Sequence, residues 1–92
     1  MFDFDLSDEF RKTLEKIAKK SPVSAQSINK KVKEIISRDK QSIVMYKNLR
    51  HDLKNLKRVH ITGWLVITFE VNLNKNFILF VNIAHRDDVY KK

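Results

Sequence analysis

The stretch from Leu56 to Tyr90 constrains the fold most, because its apolar residues recur with a period of two. In its first part, apolar and polar residues alternate in the order Arg58, Val59, His60, Ile61. This alternation is typical of a β-strand with one buried face. It predicts a strand that presents Arg58 and His60 on the face opposite to the core.

Two further strands are predicted after a turn at Thr62-Gly63. Residues 64–71 form a central strand whose core face carries Leu65, Ile67, Phe69 and Val71. Residues 72–76 are a loop of common hairpin length. Residues 77–84 form the next strand, with an expected core face of Phe77, Leu79, Val81 and Ile83.

The same alternation assigns the side chains that could carry function. It places Trp64 and Arg86 on the face of Arg58 and His60, and His85 on the core side unless the strand ends before it. Cations can bind phosphate, an indole can stack on a base and an imidazole can transfer protons, so this face fits RNA. Packing at the sheet edge is an equally good interpretation of Trp64.

The N-terminal half predicts one short strand and two helices. Apolar residues alternate with Asp3 and Asp5 over residues 2–6, and Ser7 can cap a helix that ends at Ser21-Pro22. A second amphipathic helix starts around Ser24. The fold class is therefore α+β: an N-terminal strand, then a helical hairpin packed on one face of a mainly antiparallel sheet that ends in a three-stranded meander. Residues 1–92 form a single domain.

Residues 41–55 connect the helices to the meander and are strongly basic. Lys47, Arg50 and Lys54 recur at helical spacing, and so do three leucines. We interpret this segment as a basic, partly helical connector anchored by its leucines.

Composition restricts the function classes. The 92 residues contain no cysteine and carry a net charge of +8, which excludes disulfides and favours polyanionic partners such as nucleic acid. Solubility alone is the alternative explanation of the charge. No apolar run reaches the ~20 residues of a membrane span. We therefore expect a soluble, cytoplasmic protein without a membrane partner.

The order of these segments resembles the RelE/ParE superfamily of type II toxin–antitoxin toxins. The matching segments are YKNLRHDLKNLKRVHI (Tyr46 to Ile61), WLVITFEV (Trp64 to Val71) and AHRDDVY (Ala84 to Tyr90). The resemblance is greatest to the branch that includes YafQ-like proteins. It implies a single RelE-like toxin domain, ribosome-associated cleavage of mRNA, and an antitoxin partner that silences the toxin.

The resemblance also implies a chemistry that uses neither metal nor cofactor. The ribose 2′-hydroxyl attacks the adjacent phosphate, cations stabilise the transition state and an acid protonates the leaving oxygen. His60 matches a strand His of the YafQ-like branch and takes the proton-transfer role. The other expected catalytic residues are Arg86, His85 and Tyr90. The expected RNA contacts are Lys47, Arg50, Lys54, Lys57, Arg58 and Trp64.

The match to the catalytic set of the family is incomplete. Leu65 and Val66 stand where some relatives have an arginine, and Arg86 replaces one of two adjacent C-terminal histidines. Alternatives are therefore a ParE-like toxin that inhibits gyrase, a non-catalytic nucleic-acid or partner-binding module, and an inactive member. The spacing of His60, His85 and the nearby aspartates is not a recognised metal-ligand pattern, so no metal site is predicted.

Overall fold

The computed structural model describes residues 1–47, 56–63 and 65–85. Within them the elements follow in the order β1 (Asp3–Leu6), α1 (Asp8–Lys20), α2 (Pro22–Ile36), α3 (Lys40–Ile43), β2 (Leu56–His60), β3 (Leu65–Asn72) and β4 (Phe77–His85). This confirms the α+β class, the N-terminal strand, the helical hairpin and the meander. None of the described helices is long and apolar enough to cross a bilayer.

The four strands form one mixed sheet in the order β1-β4-β3-β2. Antiparallel pairing joins β2 to β3 and β3 to β4, as alternation and loop lengths predict. The β2–β3 turn contains Gly63 at φ +57°, a backbone conformation that glycine adopts without steric cost. β1 pairs in parallel with β4, so the first and last described strands are neighbours and β1 forms a sheet edge.

Two serines set the bounds of the long helices. The Ser7 hydroxyl oxygen accepts the N–H of Phe10 at 3.0 Å and caps α1. Ser21 ends α1 through its N–H to the Ile17 carbonyl, and its hydroxyl oxygen accepts the N–H of Ser24 to cap α2. Because proline lacks an N–H and fits the first helical position, α2 begins at Pro22, slightly earlier than expected.

The core lies between the helices and one face of the sheet. The largest fully buried side chains there are Phe10, Phe69, Phe80, Ile28, Ile35, Ile43, Ile67 and Ile78. The Phe80 ring centroid lies 5.8 Å from those of both Phe10 and Phe69, so three aromatic rings join α1, β3 and β4. Ile67, Phe69 and Val71 face this core, which confirms the predicted core face of β3.

The predicted core face of β4 is wrong over its first half. Thr68 pairs with Asn82 whereas Phe69 pairs with Phe80, so Val81 is an extra residue in a β-bulge. A bulge reverses the alternation on one side of it. Ile78 and Phe80 are therefore buried in the core in place of Phe77, Leu79 and Val81, while the prediction for Ile83 is confirmed.

The segment that follows α2 attaches to the sheet through Tyr46. The Tyr46 ring packs edge-on against Phe69 with centroids 5.5 Å apart, and its hydroxyl accepts a 2.7 Å hydrogen bond from Arg38 Nε. The next residue, Lys47, accepts the N–H of Arg58 at 2.9 Å through its backbone carbonyl. Tyr46 thereby holds Lys47 beside β2. The predicted helical connector beyond Lys47 lies outside the described residues.

Candidate nucleic-acid interface

Arg58 and His60 lie on the sheet face that the helices do not cover, as the alternation predicts. Their cross-strand partners are Thr68 and Val66, whereas Val59 between them pairs with the core residue Ile67. Residues two apart on one strand are roughly 7 Å apart. His60 is exposed and Arg58 is half-buried. This strand face, here called the open face, therefore brings an imidazole and a guanidinium within reach of one phosphodiester.

The middle of the open face is more enclosed than alternation suggested. Val66 is fully buried and Thr68 is 6% exposed, although both point away from the helices. They lie on the interior strand β3, between cross-strand neighbours on β2 and β4. Of the described residues on this face, the exposed ones include His60 on β2, Glu70 on β3, and Asp3 and Asp5 on β1.

The opposite margin of the open face is acidic. Asp3 and Asp5 pair with Phe77 and Leu79 of β4, and both aspartates are exposed. The Leu6 N–H and then Arg11, which lies 2.7 Å from the carboxylate, lower the pKa of Asp5. The face thus carries carboxylates at β1 and cations at β2, with a further exposed carboxylate, Glu70, on β3 opposite Leu56. The alternation of residues 2–6 predicts one polar face on β1. Only the parallel pairing with β4 shows that this polar face belongs to the same side of the sheet as Arg58 and His60.

Lys57 does not belong to this surface. It pairs with the core residue Phe69 on the helix-covered face and is 9% exposed. The prediction that Lys57 shares an RNA-binding surface with Arg58 is therefore corrected, because neighbouring residues on a strand point to opposite faces. Lys47, in contrast, is exposed and its backbone lies against β2 at Arg58.

The two described imidazoles lie on opposite faces of the sheet. His85 pairs with Leu65, which packs against the core, whereas the row of His60 continues through Val66 to Ala84. His85 is exposed at the end of β4. Five other predicted site residues lie outside the described part of the chain: Arg50, Lys54, Trp64, Arg86 and Tyr90. Among the described residues, no three His, Cys, Asp or Glu side chains cluster as metal ligands would.

Comparison with known proteins identifies the family. A family model described as the ParE toxin of the type II toxin–antitoxin system parDE matches residues 4–90. The chain belongs to this toxin family. A putative toxin, RelE4, from Methanocaldococcus jannaschii is 37% identical over 92 residues, which cover all of this chain and 94% of the relative. The predicted membership of the RelE/ParE superfamily is thereby confirmed.

Solved structures confirm the fold of the toxin. A metal-bound toxin from Helicobacter pylori superimposes with a TM-score of 0.75 at 18% identity, covering 98% of this chain and all of the other. YafQ from E. coli strain BL21(DE3) gives a TM-score of 0.71 at 13% identity, covering 99% and 100%. Membership of a type II toxin–antitoxin family also implies a cognate antitoxin as partner of the toxin.

Proposed function

We propose that the toxin is a metal-independent endoribonuclease that cleaves mRNA on the ribosome in the cytoplasm and so inhibits translation. The observation that carries the proposal is the exposed imidazole of His60 beside the half-buried guanidinium of Arg58 on the open face. An imidazole changes its protonation near neutral pH, which a proton-transfer catalyst needs. The name of the M. jannaschii relative and the YafQ-like fold support this proposal.

In the proposed reaction the RNA supplies its own nucleophile. The ribose 2′-hydroxyl attacks the adjacent phosphorus, and the bond to the 5′ oxygen of the next nucleotide breaks. The 2′-hydroxyl proton passes to solvent, and His60 protonates the leaving 5′ oxygen, so the products are a 2′,3′-cyclic phosphate and a 5′-hydroxyl. Arg58 stabilises the additional negative charge on the phosphate oxygens. Arg86 would add a second guanidinium by the family resemblance. Neither arginine transfers a proton, because the guanidinium pKa is above ~12.

Primer extension on a translated mRNA tests the proposal. Cleavage should require ribosomes, and it should fade in both His60→Ala and Arg86→Ala. Cuts that persist in both variants would keep the nuclease but move its chemistry to His85 or Tyr90. No cuts with the wild-type toxin would overturn the proposal.

A second candidate is a toxin that inhibits gyrase, because the matching family model is that of ParE. Such a toxin binds its target and needs no proton-transfer group, so His60 would have no role in it. Inhibition of DNA supercoiling by the purified toxin, unchanged in His60→Ala, would favour this candidate. If RNA cleavage and gyrase inhibition are both absent and RNA binds no better than heparin, the toxin fold serves as a binding module.

A further inference from the structure

A basic groove lies on the outer side of α2, next to the residue that follows β2. It has a volume of about 550 Å³ and is lined by Ser27, Lys30, Lys31, Lys33, Glu34, Ser37 and Ile61. We call it the α2 groove. None of these residues belongs to the open face, and the lysines of α2 have no role in the chemistry proposed above.

The charge of the α2 groove is positive because, of the described residues, three lysines and only one acid, Glu34, line it. Glu34 Oε2 lies 2.6 Å from Lys31 Nζ, and this hydrogen bond lowers the pKa of the Glu34 carboxyl. Within the described residues, neither Lys30 nor Lys33 lies within ion-pair distance of a carboxylate, although the charge of Lys30 also helps to lower the pKa of Glu34. Both lysines are exposed. The groove therefore offers two ammonium groups, while the hydroxyls of Ser27 and Ser37 donate to the backbone carbonyls of Val23 and Lys33.

This lining suits a phosphate backbone better than a protein partner. Protein interfaces have apolar centres from which lysine and serine are depleted. A second groove, of about 390 Å³, is mostly apolar: Phe4, Leu6, Phe10, Val32 and Ile36 line it together with Asn29 and with Lys33, which borders both grooves. Lysine side chains, in contrast, are common contacts of nucleic-acid phosphates. The polar α2 groove thus fits a polyanion, and the apolar groove does not.

The position of Ile61 connects the α2 groove to the proposed active site. Ile61 follows His60 directly and packs against the core on the helix side, so the chain passes from the open face to the groove within one residue. Asp3 makes the β1 margin of the open face repulsive for phosphates, whereas the Asp5 carboxylate beside it is paired with Arg11. The β2 margin carries Arg58 and His60. RNA bound at His60 is therefore directed across the β2 margin and not across β1.

We propose that the α2 groove binds the phosphate backbone of the same single-stranded RNA that is cleaved at His60, with Lys30 and Lys33 as the phosphate contacts. This inference rests on the proposed function. It extends the RNA-binding surface from the open face, around the β2 margin, to the outer side of α2. An RNA that fills only the open face would not reach these lysines, whereas a longer one would.

The test compares Lys30→Gln/Lys33→Gln with Lys12→Gln/Lys19→Gln, which removes the same charge from exposed positions of α1 outside the groove. The probe is a 2′-O-methyl oligonucleotide, in a short and a long form, because it lacks the attacking hydroxyl and cannot be cleaved. For the long form, the plot of log affinity against log salt should become shallower by about 1.4 in the groove variant, the value for two lost contacts to a single strand. Affinity for the short form should stay unchanged, and the α1 control should alter neither.

Equal weakening in both double variants would overturn the groove and indicate general charge attraction. If Lys30→Gln/Lys33→Gln weakens antitoxin binding but leaves RNA binding unchanged, the α2 groove binds the antitoxin, and the proposal that it binds RNA is overturned. Cleavage by primer extension is scored separately. If the salt dependence of the groove variant is unchanged but cleavage still depends on His60, the groove proposal alone is rejected. If the salt dependence becomes shallower as expected but the toxin cleaves no RNA, the nuclease proposal alone is rejected.

Discussion

The Ser7 hydroxyl donates a 2.6 Å hydrogen bond to the backbone carbonyl of Val81, 74 residues later in the chain. The same hydroxyl oxygen accepts the N–H of Phe10 as the cap of α1. Val81 is the extra residue of the β4 bulge. One side chain therefore both starts the first helix and satisfies the strand irregularity that places Ile78 and Phe80 in the core.

Ser7→Ala should destabilise the toxin by about 1–2 kcal/mol, because it removes a helix cap and leaves a part-buried carbonyl without its donor. Chemical denaturation at equilibrium measures the loss. Ser27→Ala is the matched control: its hydroxyl donates to the Val23 carbonyl at an exposed position on α2, so the free energy of unfolding should hardly change. Equal losses in the two variants would contradict the role of Ser7 at the bulge.

The bulge makes adjacent β4 residues of equal size respond differently to truncation. Ile78 is fully buried in the core, so Ile78→Ala should cost about 2–5 kcal/mol of unfolding free energy. Leu79 is only half-buried on the open face, and Leu79→Ala should cost roughly 1 kcal/mol. The denaturant midpoints of the two variants measure which substitution destabilises the toxin more. A larger loss of unfolding free energy for Leu79→Ala than for Ile78→Ala would contradict the bulge and support an uninterrupted alternation along β4.

Asp39 should give the toxin an acid-sensitive contribution to stability. Hydrogen bonds from Ser42, whose N–H lies 2.8 Å from the carboxylate, lower the pKa of Asp39. A lowered folded-state pKa stabilises the fold above the ordinary carboxyl pKa, and that stabilisation is lost as pH falls through the folded value. The stability difference between wild type and Asp39→Ala should therefore shrink on acidification. The difference between Asp39→Asn and Asp39→Ala, which lacks this titrating group, should stay flat over the same range.

His60→Gln should reduce RNA cleavage by about 10²–10⁴-fold, the usual contribution of a general acid or base. Binding of the uncleavable oligonucleotide should be retained, because the amide keeps the size and polarity of the side chain. Single-turnover cleavage and equilibrium binding separate these effects. His85→Gln is the comparison on the opposite face, and a loss as large as that of His60→Gln would place the acid or base at β4 instead.

Local patterns predicted most of the fold. The cap at Ser7, the end of the first helix at Ser21-Pro22, the helical stripes, the glycine turn and the hairpin loop each depend on residues close together in sequence, and all are present. The bulge at Val81 was missed because the donor that satisfies it lies 74 residues away. The parallel pairing of β1 with β4 was missed for the same reason: neither strand carries a local sign of the other.

The candidate site was predicted as far as strand alternation reaches. Period two placed Arg58 and His60 on one face, and it already implied that Lys57 shares the side of Val59. Its inclusion among the RNA contacts relied on charge and disregarded that parity. The acidic margin at Asp3 and Asp5 and the α2 groove depend on how separate elements meet, so composition could indicate a basic protein but not where its surface is basic.

The neighbouring positions of β1 and β4 determine when the toxin can fold during its own synthesis. The first strand to leave the ribosome can complete its pairing only after residues 77–85, its partners near the other end of the chain, have been made. Contacts so distant in sequence form slowly, because a long loop must close first. A newborn chain therefore remains without its finished sheet until β4 has been synthesised and has left the ribosome.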